Sequence, residues 1–357
     1  MFVALTYCFQ IALLAAEGAT PPVVTPPAPS PAAVSPAIAT PEPIFATPTR
    51  LDRIGRVVAP VTINGKGPFR LVVDTGASHS TFSPQLVTML GLSPSFDEPL
   101  MLNGVTGVAQ VPTVAVERIQ AGDMTIEHAQ VPVVLSSIMT GADGILGVAG
   151  LRNQRILVDF RHDRVVITRA THRIDTGGYL RIGARKVAGG LLMVDARVGG
   201  VRARAVIDTG AERTLGNAAL RDALLKRQGG GPGSHWANTE VYGATTDVAN
   251  GESAIAPPIK LGSAVIKGTE VVYGDFHIFK VWDLDSRPAA LIGMDVLGTV
   301  GAIVLDYSSR DVYLDVRPVE RGRVAESAAT AAGKTHVASS SACASGATRI
   351  PRANTCP

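Results

Sequence analysis

Two stretches decide how this chain is read: Phe69-Arg70-Leu71-Val72-Val73-Asp74-Thr75-Gly76-Ala77 and Ala203-Arg204-Ala205-Val206-Ile207-Asp208-Thr209-Gly210-Ala211. Each is a strand-like run that closes on Asp-Thr-Gly-Ala. Working outwards, each is preceded by an apolar run and a two-residue turn, Val61-Thr62-Ile63-Asn64-Gly65 in the first copy and Ala196-Arg197-Val198-Gly199-Gly200 in the second. Asn-Gly and Gly-Gly between such runs mark a tight β-hairpin, because both turn residues need positive φ. Downstream, Gly144-Ile145-Leu146-Gly147 answers to Ala290-Leu291-Ile292-Gly293. Further on, Leu157-Val158-Asp159-Phe160 answers to Val304-Leu305-Asp306-Tyr307. Four features recurring in one order indicate a duplicated domain; the period exceeds a hundred residues, too long for a solenoid.

Between these landmarks lie alternating or β-branched runs, such as Val111 to Ile119 and Val131 to Leu135. The clearest helical pattern is Asn217 to Arg227. The expected fold is therefore mostly all-β, in two lobes related by a pseudo-twofold axis. Residues 50–172 form the first lobe and residues 173–319 the second.

The ends have a different composition. Residues 1–19 begin with an apolar stretch, Met1 to Ala16, of signal-peptide length but with no Lys or Arg before Arg50. They read as a signal peptide or N-terminal anchor. Residues 20–49 are rich in Pro, Ala, Thr and Ser, and are expected to be an extended spacer forming neither helix nor sheet. Residues 320–357 hold too few large apolar side chains to pack and read as a disordered tail. A leader followed by a spacer points to an exported protein, whether periplasmic, secreted or membrane-anchored at the cell surface. Cys8, Cys343 and Cys356 all fall in these ends, so the folded region does not rely on disulfides.

The formal net charge of +3 also belongs partly to the ends. The tail carries five bases against two acids, and residues 50–319 hold 28 bases against 26 acids. These bases are scattered and not interleaved with aromatics, which argues against a nucleic-acid partner.

An isolated Asp-Thr-Gly is an ordinary turn at a strand end. Two copies at equivalent positions of a twofold repeat are different, because the axis brings their loops face to face. Asp74 and Asp208 are then expected to meet. Carboxylates held that close share one proton and titrate in two separated steps. One acts as general base on a water between them, and the other donates its proton to a carbonyl that becomes tetrahedral. Thr75 and Thr209 are placed to hydrogen-bond across the interface, and Gly76 and Gly210 to leave room for a substrate backbone.

With these motifs present twice, the chain resembles the aspartic peptidases. The Asp-Thr-Gly-Ala form and Leu291-Ile292-Gly293-Met294-Asp295-Val296-Leu297 look most like the retropepsin branch, joined as two lobes in one chain of the exported bacterial type. The resemblance covers about residues 55–316. It implies a two-lobed acid-protease β-barrel fold and an endopeptidase with Asp74 and Asp208 as its catalytic pair. It implies Thr75, Gly76, Thr209 and Gly210 as their supports, and neither a cofactor nor a metal. The substrate is an extended polypeptide bound by strand addition, and the chain is a monomer because both lobes are present. By position, the flap that covers such a cleft falls at Asn103-Gly104-Val105-Thr106-Gly107. Its counterpart is Val241-Tyr242-Gly243-Ala244-Thr245-Thr246. Ala77 and Ala211 stand where pepsin-like enzymes carry a hydroxyl, which favours a mildly acidic optimum. Val148 and Met294 replace an arginine that joins subunits in dimeric retropepsins, in agreement with covalently linked lobes. The alternative is a weak or inactive peptide-binding or scaffolding protein of the same fold.

Other chemistries lack their parts. Gly229-Gly230-Gly231-Pro232-Gly233 has no following Lys-Ser/Thr and reads as a loop, not a phosphate cradle. The seven histidines show no close metal-ligand spacing, and His79 is placed as a surface neighbour of the Asp74 loop. There is no Gly-x-Ser-x-Gly elbow and no cysteine in the folded region.

Overall fold

A computed structural model describes residues 47–48, 56–134, 141–227 and 236–317. The leader, most of the spacer, the glycine run at 229–233, Leu135 and the tail lie outside the described residues. The architecture is mostly β in two lobes, as the repeat implies.

Each lobe grows from its hairpin. Strand Val58–Ile63 turns through Asn64 (φ 48°) and Gly65 (φ 73°) into Lys66–Val73. Leu192–Val198 turns through Gly199 (φ 55°) and Gly200 (φ 83°) into Val201–Ile207. The positive φ values at both turn residues give the backbone twist that a two-residue hairpin needs. The returning strand then takes a parallel partner from far along the chain. Val73 pairs with Leu146 in the first lobe and Ile207 with Ile292 in the second. On the other side of that partner runs a short antiparallel strand, Thr81–Phe82 or Leu215–Asn217, followed at once by a helix. Helix Pro84–Leu90 is capped by Ser83, whose Oγ accepts from the Leu86 amide at 3.1 Å, and ends on Gly91. The second helix is Ala218–Arg227, with Asn217 as its cap: Asn217 Oδ1 accepts from the Leu220 amide at 2.9 Å.

The lobes differ where their sequences differ. Strand Val108–Ala121 runs unbroken for 14 residues. In the second lobe the corresponding path is interrupted between Val248–Ile255 and Ile259–Leu261. Pro257 and Pro258 lie in the gap, and neither offers an N–H to a ladder.

A shared sheet joins the lobes. Its order runs Thr47–Pro48, Arg164–Arg169, Gln154–Asp159, Ala302–Asp306, Asp311–Asp315 and Leu180–Lys186, and then continues into Leu192–Val198 and the rest of the second lobe. At its centre the two closing strands pair antiparallel, Val158 opposite Ile303 and Ile156 opposite Leu305. Alternate residues serve two faces. Ile156, Val158, Ile303 and Leu305 enter the main core, while Leu157 and Val304 pack on the other side with Ile174 and Tyr179. Burial on both faces explains why these strands read as continuous apolar runs. Asp159 and Asp306 end the two strands in equivalent turns, each accepting two amides: Arg161 and His162 at 3.2 Å, Ser308 and Ser309 at 2.9 and 3.0 Å.

Thr47–Pro48 corrects one expectation. These spacer residues pair with Val165 and Arg164 at the rim of the shared sheet, so sheet structure begins before residue 50. An edge position tolerates proline, because the missing N–H faces no partner.

Candidate active site

The Asp-Thr-Gly-Ala loops are fixed at both ends by their parallel partners. The Asp74 amide donates to Leu146 O at 3.0 Å, and beyond the turn the Val148 amide donates to Ala77 O at 2.9 Å. The second lobe repeats this: the Asp208 amide donates to Ile292 O at 3.0 Å and the Met294 amide to Ala211 O at 2.8 Å. The glycines between these contacts have no room for a side chain. A Cβ at Gly147 would stand 2.5 Å from the His79 backbone, and one at Gly293 2.6 Å from that of Arg213. The hydrophobic-hydrophobic-Gly motif is thus a clamp on the aspartate loop.

Thr75 and Thr209 interlock beneath the aspartates. Thr75 Oγ1 donates to Ile207 O at 2.7 Å, and Thr209 Oγ1 donates to Val73 O at 2.5 Å. In return the Thr209 amide donates to Thr75 Oγ1 at 3.1 Å, and the Thr75 amide to Thr209 Oγ1 at 3.3 Å. Both threonines are buried. Each hydroxyl therefore bonds the carbonyl just before the opposite aspartate, so the two loops are registered to each other directly.

Asp74 and Asp208 come together, each lying against the glycine of the opposite loop. Asp74 Oδ1 accepts from the Gly76 amide at 2.9 Å; Asp208 Oδ1 accepts from Gly210 at 2.8 Å and Ala211 at 3.2 Å. Burial raises the pKa of both carboxyls above the ordinary value of 3.8. Asp208 is raised well above it, by burial first and by the negative charge of Asp74 second. Asp74 rises against opposing influences: the hydrogen bond to Asp208, the Gly76 amide and the charge of Arg56. Such a pair holds one proton between two carboxylates, the condition for acid–base work by two like groups.

Gly76 and Gly210 each make room for the opposite aspartate. A Cβ on Gly76 would lie 2.2 Å from Asp208 Oδ2, and one on Gly210 would lie 2.1 Å from the Asp74 carboxyl carbon. The sequence pattern shows that a small residue is needed; only the meeting of the lobes shows what occupies the space.

The segments 103–107 and 241–246 are tips of equivalent hairpins, and the tips touch. Thr106 Oγ1 and Thr245 Oγ1 lie 2.9 Å apart in a hydrogen bond. Gly243 packs against Thr106, Gly104 against Thr245, and Gly107 against Asp247. Asn103 Oδ1 also shares a hydrogen bond of 3.1 Å with His277 Nε2 of the second lobe. Leu102, just before the first tip, packs with Ala77, Val134 and Ile145 beside the Asp74 loop. Tyr242 points outward, its hydroxyl donating to Glu240 Oε2 at 2.6 Å. His79 is exposed and bonded to Ser78 Oγ at 2.9 Å.

Several supporting residues were missed in the sequence. Thr214 Oγ1 accepts from the Gly293 amide at 3.1 Å and donates to Asp295 Oδ1 at 2.6 Å; Ser80 Oγ makes the corresponding 3.2 Å contact with Gly147. Arg56 is buried beside the pair. Tyr307 is buried with its hydroxyl lacking a hydrogen-bond partner among the described residues, and both aspartates bear on it electrostatically. Counting residues outward from the Asn64-Gly65 turn would not have placed Arg56, because the ladder shifts register between Val61 and Ile63. Nothing in the sequence marks Tyr307 except that the first lobe has Phe160 in its place.

Fold and site together define an aspartic-protease architecture. The aspartyl protease family profile matches residues 59–149 and again 194–296, together more than half of the chain and each with one Asp-Thr-Gly. The chain belongs to the aspartyl protease family. Among curated proteins no match is found.

Proposed function

We propose that the protein is an aspartic endopeptidase that hydrolyses peptide bonds with a water activated between Asp74 and Asp208. The observation that supports this most is the meeting of two carboxyls from equivalent strand ends, each packed against the glycine of the opposite Asp-Thr-Gly loop, with both pKa values raised by burial. The ionised carboxylate takes a proton from the water as its oxygen attacks the carbonyl carbon. The protonated carboxyl gives its proton to the carbonyl oxygen. The tetrahedral intermediate then collapses: the carboxyl that took the water proton gives it to the amine nitrogen as the C–N bond breaks, and the other carboxylate takes back the proton from the former carbonyl oxygen as the C=O bond re-forms. The threonine interlock supplies the rigidity that such positioning needs.

The substrate of this reading is an extended polypeptide, held by main-chain hydrogen bonds beneath the tips at Gly104, Thr106 and Gly107 and at Tyr242 and Gly243. Both lobes come from one chain, which supports a monomer. The apolar leader and proline-rich spacer support action outside the cytoplasm. The test is incubation of the purified full chain with an unfolded protein at mildly acidic pH, with new termini mapped by mass spectrometry. Absence of cleavage across a panel of unfolded substrates would favour a peptide-binding or scaffolding role instead.

A further inference from the structure

The two halves of the site are not equivalent one layer below the aspartates. In the first lobe Val58 pairs with Val72, and the Val73 amide donates to Val57 O at 2.8 Å. One more step of this antiparallel register sets Arg56 opposite Asp74. In the second lobe Met193 pairs with Val206, and the same count sets Leu191 opposite Asp208. Both side chains are buried, each 2% exposed. A guanidinium keeps its charge at any pH a protein tolerates, so one aspartate has a fixed cation across the ladder and the other has an alkyl group.

A second difference lies close by. Tyr307 of the second lobe stands where the first lobe has Phe160. Among the described residues, Arg56 bears electrostatically on Asp74, and both aspartates bear on Tyr307. Burial and the two carboxylates both oppose ionisation of the phenol, so Tyr307 is neutral and Arg56 is the fixed charge.

We infer that Arg56 is a positioning residue that breaks the symmetry of the pair: it holds Asp74 as the carboxylate and leaves the single proton on Asp208. This rests on the hydrolytic reading and assigns its two roles. Asp74 takes the proton from water as the new C–O bond forms. Asp208 gives its proton to the carbonyl oxygen as the C=O π bond opens. Coulomb attraction in a low-dielectric site is strong enough to bias one proton between two otherwise equal carboxyls. Burial raises both carboxyls; against that common rise the Arg56 charge lowers Asp74, while the Asp74 charge raises Asp208 further.

The test compares the wild-type full chain with Arg56→Leu, which copies Leu191, with Arg56→Lys, and with the exchange variant Arg56→Leu/Leu191→Arg. Two measurements are made. One is kcat/KM against pH on an unfolded polypeptide. The other needs no activity: ¹³C NMR titration of aspartate-labelled chain, with Asp74 and Asp208 assigned through their Asn variants. In wild type, the first carboxyl to ionise as pH rises is Asp74. In Arg56→Leu the acid limb moves up by about one pH unit or more and the pH bell narrows. Arg56→Lys restores most of the wild-type profile, and the exchange variant makes Asp208 ionise first. Should Arg56→Leu fail to fold, the wild-type titration and Arg56→Lys still decide.

First ionisation at Asp208 in wild type, or a folded Arg56→Leu titrating like wild type, would overturn the assignment. A wild-type chain that cleaves nothing but shows the expected titration defeats the hydrolytic reading and leaves the Arg56 assignment standing. Cleavage with an unaltered titration in Arg56→Leu does the reverse.

Discussion

Gly210 is packed against Asp74 so closely that a Cβ at position 210 would stand 2.1 Å from the Asp74 carboxyl carbon. Gly76 stands in the same relation to Asp208, with 2.2 Å to Oδ2. Each glycine belongs to the loop of one aspartate and makes space for the other. Gly76→Ala and Gly210→Ala must therefore displace a reacting carboxyl. Each is expected to lower kcat/KM by about 10²- to 10⁴-fold, the range supplied by well-placed acid–base groups. Steady-state kinetics, with circular dichroism to check the fold, measure this.

Removing the Thr75 hydroxyl breaks its hydrogen bonds to Ile207 O, from the Thr209 amide and from the Thr209 hydroxyl, and leaves buried groups unpaired. Thr75 Oγ1 donates to Ile207 O and accepts from the Thr209 amide. Thr75→Val is expected to cost about 2–3 kcal/mol of stability, and Thr75→Ser markedly less because it keeps the hydroxyl. Urea unfolding curves compare the two.

The aspartate pair opposes folding once it is forced to ionise fully. Both folded pKa values lie above 3.8, so the contribution of each carboxyl is most favourable below the unfolded pKa and is lost as pH rises through the folded one. Asp208→Asn removes that loss. The variant is expected to melt higher than wild type at neutral pH, with the advantage shrinking as pH falls towards about 4. Thermal melts across pH follow the sign.

The shared sheet has the opposite dependence. Asp306 is buried, accepts from Arg155 Nε at 2.6 Å and from two turn amides, and its pKa is lowered despite burial. Its stabilisation is present above the unfolded pKa and lost as pH falls through the folded one. Asp306→Ala is expected to cost about 3 kcal/mol at neutral pH and less in acid. Denaturant titrations at two pH values test this.

The contact between the hairpin tips offers a direct control of access. Thr106→Cys combined with Thr245→Cys, with Cys8, Cys343 and Cys356 replaced by Ser, places two thiols where the hydroxyls now lie 2.9 Å apart. Oxidation is expected to bridge the tips and abolish cleavage of polypeptide, and reduction to restore it. A protease assay with and without reductant reports the outcome.

Much of the fold was legible because the chain states it twice. The Asn64-Gly65 and Gly199-Gly200 turns, the two Asp-Thr-Gly-Ala ends and the two hydrophobic-hydrophobic-Gly strands are local signals, and repetition tied them into one symmetric plan. Features created between the lobes were not legible. The packing of Gly76 against Asp208 has no local signal, because the two lie more than a hundred residues apart in the chain. Arg56 carries no local mark, since nothing near it in the chain shows that its position is buried opposite Asp74. The contact of Thr106 with Thr245 depends on how two hairpins lean together. Thr47–Pro48 reads as spacer, and becomes strand only because Arg164–Arg169 offers it an edge.

Whether Asp74 and Asp208 act as one hydrolytic unit is decided by comparing the full chain with Asp74→Asn and Asp208→Asn on the same unfolded polypeptide at mildly acidic pH, with fragments followed by mass spectrometry. Wild type is expected to give discrete new termini, and either variant to lose about 10³-fold or more of this activity while retaining the fold. The same fragments, formed by either variant at the wild-type rate, would contradict this expectation.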